Sequence, residues 1–165
     1  MTDENENKKK DDVSLYENLA ARTAELLEEG KKTLDEAIKK AGEEISSAGK
    51  FSRERAEKIG AYIRRDLTDL GKQAEKTRDN LKKAVDPHRV AAGMQSILAR
   101  ILVSTAETLS DWAEKTEKQV EYKTGEITSP GTLTCKECGN AIHLSGTGHI
   151  PPCPKCHKTL FRKSY

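Results

Sequence analysis

The chain has 165 residues and a formal net charge of +2; 34% of its residues are charged and only 4% are aromatic. So few large apolar side chains exclude a compact globular core of average composition and favour long, solvated helices. The small net charge excludes a strong overall field that would attract nucleic acid or anionic lipid. The totals therefore predict an extended helical region with a smaller module attached.

The first twelve residues are polar and contain no apolar stretch. We expect residues 1–12 to be a disordered tail, because they hold nothing that folding could bury. They also lack the apolar region of a signal peptide, and no stretch of the chain reaches the roughly 18 apolar residues that a membrane span needs. We therefore expect a cytoplasmic protein with no membrane span, in which thiols stay reduced.

Residues 13–125 carry apolar side chains at steps of three and four, the spacing that places them on one stripe of a helix. A break at residues 46–52 and the pair Asp86-Pro87 divide this region. The pattern predicts helices at about residues 13–48, 52–85 and 87–122.

Short connections would make these helices antiparallel neighbours, in a long helical hairpin or a three-helix bundle with coiled-coil-like seams. Glycines inside the helical pattern and many small Ala and Thr residues on the stripes weaken the helices. They leave open a second interpretation, in which the helices order only on association.

From residue 126 the pattern changes to short β-favouring runs bounded by Gly and Pro. Two cysteine pairs lie here, Cys135-Lys-Glu-Cys138 and Cys153-Pro-Lys-Cys156, with 14 residues between them. Two residues between paired cysteines let one tight turn present both sulfurs to the same ion, and 14 residues suffice for a hairpin that brings the turns together. In a reduced compartment such pairs bind metal. We predict one structural Zn²⁺ per chain, bound by Cys135, Cys138, Cys153 and Cys156 in a zinc ribbon formed by residues 126–165.

Four thiolates complete the tetrahedral shell of zinc, so a catalytic zinc with an open position for water is not expected. Iron is the alternative metal for such a site. His143, His149 and His157 lie near the cysteines, and we interpret them as surface or packing residues because the four sulfurs already satisfy the ion. Oxidation of the cysteine pairs to disulfides would release zinc, which leaves a redox role open.

The densest basic cluster lies in the second predicted helix and consists of Arg53, Arg55, Arg64 and Arg65. Acidic residues, among them Asp66, interleave with these arginines. Alternating signs along a helix are typical of a solvated face with ion pairs between neighbouring turns. The cluster therefore gives only weak support for nucleic acid as a partner.

Several runs of the C-terminal module are more specific than the cysteine spacing, namely Gly125-Glu126, Thr132-Leu-x-Cys135 and Ile150-Pro-Pro-Cys153-Pro-Lys-Cys156. Together with Ile63-Arg-Arg-Asp-Leu67 and Trp112 they resemble the uncharacterised bacterial zinc-ribbon family typified by YbeL. The resemblance implies a helical N-terminal region, a metal-binding ribbon and no assigned activity. His157 departs from the family pattern, in which a glycine commonly follows the second turn, so the backbone of that turn can differ without loss of a ligand.

No nucleophile–base set, phosphate-binding glycine loop or pair of carboxylates stands out, and we do not expect an enzyme. We interpret the chain as a zinc-binding interaction or scaffold protein whose ribbon recognises protein or nucleic acid. An unknown protein is the first candidate partner, followed by nucleic acid and by a second copy bound through the helices. The alternative function is a zinc–thiolate redox sensor or stress-response protein.

Overall fold

The structure, a computed structural model, describes residues 2–30, 33–49, 51–76, 94–104 and 120–164. These residues form four helices followed by six short strands. The helices are α1 (Thr2–Glu28), α2 (Leu34–Ser47), α3 (Arg53–Lys76) and α4 (Met94–Ser104). The strands are β1 (Tyr122–Lys123), β2 (Ile127–Thr128), β3 (Gly131–Cys135), β4 (Ala141–Leu144), β5 (Gly148–His149) and β6 (Leu160–Ser164). The chain is thus mainly helical with a small antiparallel β module, as the sequence predicts.

Residues 2–12 form the first turns of α1, and the prediction of a disordered tail is wrong for them. The side chains of residues 4–11 are exposed, so burial does not account for the helix there. The helix is instead held there by contacts from α3. Arg55 donates hydrogen bonds to Asp12 Oδ1 (2.7 Å) and to the Lys8 carbonyl (3.1 Å). A contact between residues so far apart in the chain leaves no periodic signal in the sequence.

The predicted helix over residues 13–48 is two helices, because Gly30 adopts a left-handed conformation (φ 64°) after the end of α1. Thr33 then caps α2. Its side-chain oxygen accepts a hydrogen bond from Glu36 N (3.3 Å), and the Glu36 carboxylate accepts one from Thr33 N (3.1 Å). This capping box satisfies two of the amide groups that the start of a helix would otherwise leave without partners.

The second predicted helix, residues 52–85, corresponds to α3 as far as Lys76. Its remaining residues, 77–85, lie outside the described residues. Among the described helices, none combines the length and the hydrophobicity that a membrane span requires.

The third predicted helix, residues 87–122, contains α4, and most of its remaining residues lie outside the described ones, including His88 and Trp112. The prediction is wrong at its C-terminal end, because Tyr122 begins strand β1. Since β1 pairs with β6, the β module starts at residue 122 and not at residue 126.

Helix α1 lies at the centre of the helical region, where it contacts α2, α3 and α4. Two adjacent stripes of α1 are buried, one containing Leu15 and Leu19 and the other containing Tyr16 and Ala20. A helix with neighbours on several sides needs this broader apolar surface, whereas a helix at the edge of a bundle needs one stripe. The rest of this core comes largely from α2, α3 and α4, with Leu34, Ala37, Ile38, Ala41, Ile59, Ile63, Leu67, Leu98 and Ile101.

The β module contains a four-stranded antiparallel sheet in the order β1-β6-β3-β4 and a separate β2–β5 pair. Side chains alternate across the sheet, as the strand geometry requires. Along β6, Phe161 and Lys163 are buried while Arg162 and Ser164 are exposed. The face that carries Arg162 is therefore open to solvent, and the opposite face packs on the rest of the module.

The β module is docked on the helices. Strands β2, β5 and β6 contact α1 or α3, and Ile127 of β2 is fully buried as a member of the helical core. The sequence left this docking undecided. In the structure the ribbon contributes Ile127 to the helical core and keeps a separate buried cluster of its own.

A buried carboxylate stands at the centre of the docking surface. Asp66 of α3 is fully buried, and its Oδ2 accepts hydrogen bonds from Tyr16 Oη (2.7 Å), Thr128 Oγ1 (2.8 Å) and Ser129 N (2.8 Å). Its Oδ1 accepts a hydrogen bond from Arg65 Nε (3.2 Å). A buried charge is tolerated only when it is paired and hydrogen-bonded in this way. Asp66 thus joins α1, α3 and the β module at one point.

Lys163 of β6 approaches the same point from the β module and is also buried. Its Nζ donates hydrogen bonds to Thr128 Oγ1 (2.9 Å), to the Ser129 carbonyl (2.7 Å) and to Ser129 Oγ (2.7 Å), and it lies 3.8 Å from Asp66 Oδ2. Burial lowers the pKa of Lys163 to about 8, although the Asp66 carboxylate opposes this effect. The ammonium group therefore remains mostly charged at neutral pH and faces a carboxylate.

Arg65 adds a second set of contacts between α3 and the β module. Its Nη1 donates to Glu126 Oε2 (2.5 Å) and its Nη2 donates to the Ile127 carbonyl (2.9 Å). The guanidinium carbon of Arg65 lies 4.2 Å from the centre of the Tyr122 ring. Burial alone would lower the pKa of Arg65, but the neighbouring Asp66 carboxylate opposes this effect, and the pKa is raised. The prediction of a solvated face is wrong for Arg65 and Asp66, because both lie in the docking surface.

One glycine of α3 permits close helix packing. A Cβ added at Gly60 would lie 2.8 Å from Ile38 Cγ2 of α2 and 3.8 Å from Leu19 Cδ2 of α1. Both neighbours are buried and cannot move into solvent. We expect Gly60→Ala to lower the free energy of unfolding by about 1–3 kcal/mol through overpacking, measured by urea denaturation.

Gly71 in the same helix is the matched control, since among the described residues its added Cβ would meet Leu102 Cδ2, at an ordinary 3.8 Å. Gly71→Ala should raise the free energy of unfolding by up to about 1 kcal/mol, because alanine is the better helix former. Equal effects of the two substitutions would contradict the close packing at Gly60.

Candidate metal centre

The two cysteine pairs lie in turns with the same backbone. In the first turn Gly139 N donates to the Cys135 carbonyl (3.0 Å), and in the second His157 N donates to the Cys153 carbonyl (2.9 Å). Gly139 and His157 follow the second cysteine of each pair and both adopt left-handed conformations, with φ of 70° and 57°. The backbone of the second turn therefore does not differ from the first, although His157 stands where the family pattern has a glycine.

The sulfurs of the two turns face one another. Cys135 Sγ lies 3.6 Å from Cys156 Sγ, and Cys138 Sγ lies 3.5 Å from Cys153 Sγ. All four sulfurs lie within 4.8 Å of one another. Four sulfurs placed about 2.3 Å from a central zinc would be about 3.8 Å apart, so their spacing fits one tetrahedral ion. The structure thus brings together the four cysteines that the sequence singles out.

Backbone amides favour thiolates at the first cysteine of each pair. The N–H of Cys138, helped by that of Glu137, lowers the pKa of Cys135. Burial would raise the pKa of Cys153, but the amides of Cys156 and Lys155 outweigh it and lower the pKa to about 6. The fold therefore makes the thiolate form easier to reach at both of these positions.

The fourth sulfur shows why the group needs a cation. The amide of Lys158 lowers the pKa of Cys156, but burial and the three neighbouring sulfurs raise it to about 12. Four adjacent thiols cannot all ionise while only protein atoms surround them, because negative charge accumulates. A divalent cation at their centre removes this repulsion and allows all four to ionise. The donor set thus fits Zn²⁺, the ion that tetrahedral cysteine sites commonly bind.

The nearby histidines lie outside the cysteine cluster. His143 Nδ1 is 3.3 Å from Thr132 Oγ1, and His149 Nδ1 is 2.9 Å from the Gly125 carbonyl. The His157 side chain is exposed. Among the described residues, the group that could hold a metal ion consists of the four cysteines.

Sequence reasoning missed the residues that attach the ribbon to the helices. Asp66 is three residues after Ile63 and four before Leu70, so it falls on the apolar side of α3. Lys163 is two residues after Phe161 and therefore faces the same side of β6. A charged residue at an apolar position was the available signal in both cases. This signal could not be interpreted from the sequence, because the residue of opposite charge lies in a distant part of the chain.

A left-handed histidine costs free energy that a glycine would avoid, roughly 1–2 kcal/mol. We expect His157→Gly to stabilise the second turn by about 1 kcal/mol, and thermal unfolding of the zinc-loaded protein measures it. Gly139→Ala, at the corresponding position of the first turn, should destabilise by a similar amount. A destabilising His157→Gly would mean that the imidazole makes a contact that outweighs its backbone strain.

Comparison with known proteins agrees with this site. Residues 21–164 match the family described as zinc-ribbon containing domain. The chain is 24% identical over 151 residues to uncharacterized protein YbeL of Escherichia coli strain K12, over 90% of this chain and 92% of the relative. YbeL of Escherichia coli O6:H1 and of Escherichia coli O157:H7 gives the same values. No solved structure matches significantly. The family resemblance is thereby confirmed, and the chain belongs to the family of proteins with a zinc-ribbon containing domain.

Proposed function

We propose that this chain is a non-enzymatic scaffold or interaction protein whose ribbon is closed by one structural zinc ion per chain. The observation that carries the proposal is the convergence of four sulfurs, two from each turn, on a single point. Four protein thiolates fill the tetrahedral shell and leave no position for water or substrate. Such a site supports architecture and not zinc-based catalysis.

The small interior of the ribbon supports a structural role for the metal. Its buried apolar residues are Tyr122, Leu133, Ile150 and Phe161, and they pack with two of the cysteines, Cys135 and Cys153. A module with so little apolar surface depends on a crosslink to fold. Four metal–sulfur bonds would join the end of β3 to the turn before β6 and so provide that crosslink.

The polar groups of a nearby cleft also support a scaffold. The cleft, of about 430 Å³, lies between α1 and the ribbon and is lined in part by Asp12 and His149. Asp12 pairs with Arg55 (2.6 Å), and His149 Nδ1 is within 2.9 Å of the Gly125 carbonyl. Asp12 is thus engaged with α3, and His149 Nδ1 is engaged with the turn between β1 and β2. This engagement favours packing over acid–base chemistry.

The open face of the four-stranded sheet is the candidate recognition surface. Lys123, Arg162 and Ser164 are exposed there, and Thr132 and Thr134 are half-buried beside them. The opposite face packs within the ribbon and, at Lys163, against α3, so of the two faces of this sheet the open one is accessible to a partner. Two cations among hydroxyl groups suit carboxylates, and we infer that the partner is a protein segment carrying acidic residues. Nucleic acid, whose phosphates use similar contacts, is the competing partner.

Native mass spectrometry tests the zinc site. We expect one zinc ion per chain, loss of the ion in Cys153→Ser, and full retention in His143→Ala, which alters a histidine outside the cluster. The same spectra report whether the helices mediate oligomerisation. Two zinc ions per chain, or none, would refute the proposed site.

A second candidate function is a zinc–thiolate redox sensor, favoured by the partial exposure of Cys138 and Cys156. Exposed thiolates are the ones that oxidants reach first. Hydrogen peroxide should then release zinc and lower the helical circular dichroism together. Unchanged helical signal after complete zinc release would count against this function.

A further inference from the structure

We propose that zinc occupancy of the ribbon controls how firmly α1 and α3 are held together, with Asp66 as the residue that couples the two events. The inference rests on the proposed zinc site and adds a regulatory consequence to it. The structure provides a continuous set of contacts from the cysteines to the interior of the helical region. These contacts join the cysteines to β6, then β6 to α3, and finally α3 to α1.

The first step joins the metal centre to strand β6. Cys135 is the last residue of β3 and is paired with Phe161 of β6, and Tyr122 of β1 is paired with Phe161 from the other side. All three side chains are buried in the interior of the ribbon. Without the metal the two turns lose their crosslink, and this small interior is too limited to maintain the strand pairing.

The second step joins β6 to α3. Lys163 lies two residues after Phe161 on the same buried side of the strand, so the pairing that fixes Phe161 also fixes Lys163. Its ammonium group bonds to Thr128 and Ser129, which themselves donate hydrogen bonds to Asp66. The Lys163 backbone carbonyl is fixed as well, because it accepts a hydrogen bond from Gln73 Nε2 of α3 (2.8 Å). Loss of the strand pairing therefore removes an ordered group of donors from Asp66.

The third step is the effect of undocking on the contacts that Asp66 keeps within the helices. Among the contacts described above, Asp66 keeps Tyr16 of α1 and Arg65 of its own helix but loses Thr128, Ser129 and the charge of Lys163. Its neighbours on the apolar side of α3, Ile63 and Leu67, offer no hydrogen bond from their side chains. Undocking also uncovers Asp66 to water, which competes with the Tyr16 hydroxyl for Asp66 Oδ2 and so weakens this hydrogen bond between α1 and α3.

Undocking also removes Ile127 from the helical core and Tyr122 from the Arg65 guanidinium and the Asp69 carboxylate. The helices therefore lose an apolar contact and several polar contacts in a single event. By thermodynamic reciprocity, the helices must strengthen zinc binding by the same factor by which zinc stabilises the helices. Both directions of this coupling are measurable.

The direct test is hydrogen exchange of the full chain with zinc and with an excess of chelator. We expect chelation to speed exchange of amides around Tyr16 in α1 and Asp66 in α3 by at least about tenfold, within the usual range of coupling between sites. Zinc stoichiometry is measured on the same samples. One zinc per chain with no change in α1 and α3 overturns the coupling alone, whereas no bound zinc overturns the zinc site and the coupling together.

Asp66→Asn tests the coupling residue. This change removes the negative charge that lies 3.8 Å from Lys163 Nζ in the docked state, and it weakens the acceptor that joins Tyr16 of α1 to Thr128 and Ser129 of the ribbon. We expect zinc affinity, from competition with a chromophoric chelator, to fall at least about tenfold, and the effect of chelation on helix exchange to shrink by the same factor.

The matched control is Asp35→Asn, which removes the carboxylate that pairs with Arg64 at the α2–α3 contact. It should leave both zinc affinity and the response to chelation unchanged. Wild-type zinc affinity in Asp66→Asn, or equal effects of the two substitutions, would overturn the role of Asp66. Should Asp66→Asn fail to fold, the wild-type exchange experiment decides the coupling by itself.

Discussion

The arrangement of the chain depends on one buried carboxylate. Asp66 lies where α1, α3 and the ribbon meet, and it is stable there only because donors reach it from all three. An apolar contact such as Ile127 supplies attraction but tolerates sliding and rotation. A buried charge with several fixed donors does not, since a small displacement leaves it without partners. Asp66 therefore determines the position at which the ribbon docks.

Polar contacts of this kind help a chain with few large apolar groups to hold its helices and its ribbon together. The seams of α1 and α2 contain many small residues, among them Ala20, Ala37 and Ala41, which bury little surface each. Close approach compensates in part, as at Gly60, where α3 lies directly against Ile38. The ribbon adds Ile127 to this core, and its Tyr122 ring stacks on Arg65. The ribbon thus contributes to the helical core, while its own buried cluster remains separate.

Much of this structure could be predicted from local patterns in the sequence. The cysteine spacing identified the four clustered residues, and the apolar steps of three and four predicted helical stripes of the kind that Ile59, Ile63 and Leu67 form in α3. Boundaries failed where one residue changed the backbone, as at Gly30, or where distant groups supply the stabilisation, as for residues 2–12 with Arg55. Asp66 and Lys163 could not be paired in advance, because 97 positions separate them and only the folded chain shows that both side chains point inward.

Strand β6 carries two sets of side chains that alternate along five residues. Phe161 and Lys163 serve the interior, while Arg162 and Ser164 form part of the open face. Inserting or deleting a single residue between Cys156 and Phe161 would turn every side chain of the strand to the opposite side. The ammonium group would then point to solvent, and a guanidinium would point at the ribbon interior. The distance along the chain from the second cysteine turn to Lys163 is thus as constrained as the spacing within each cysteine pair.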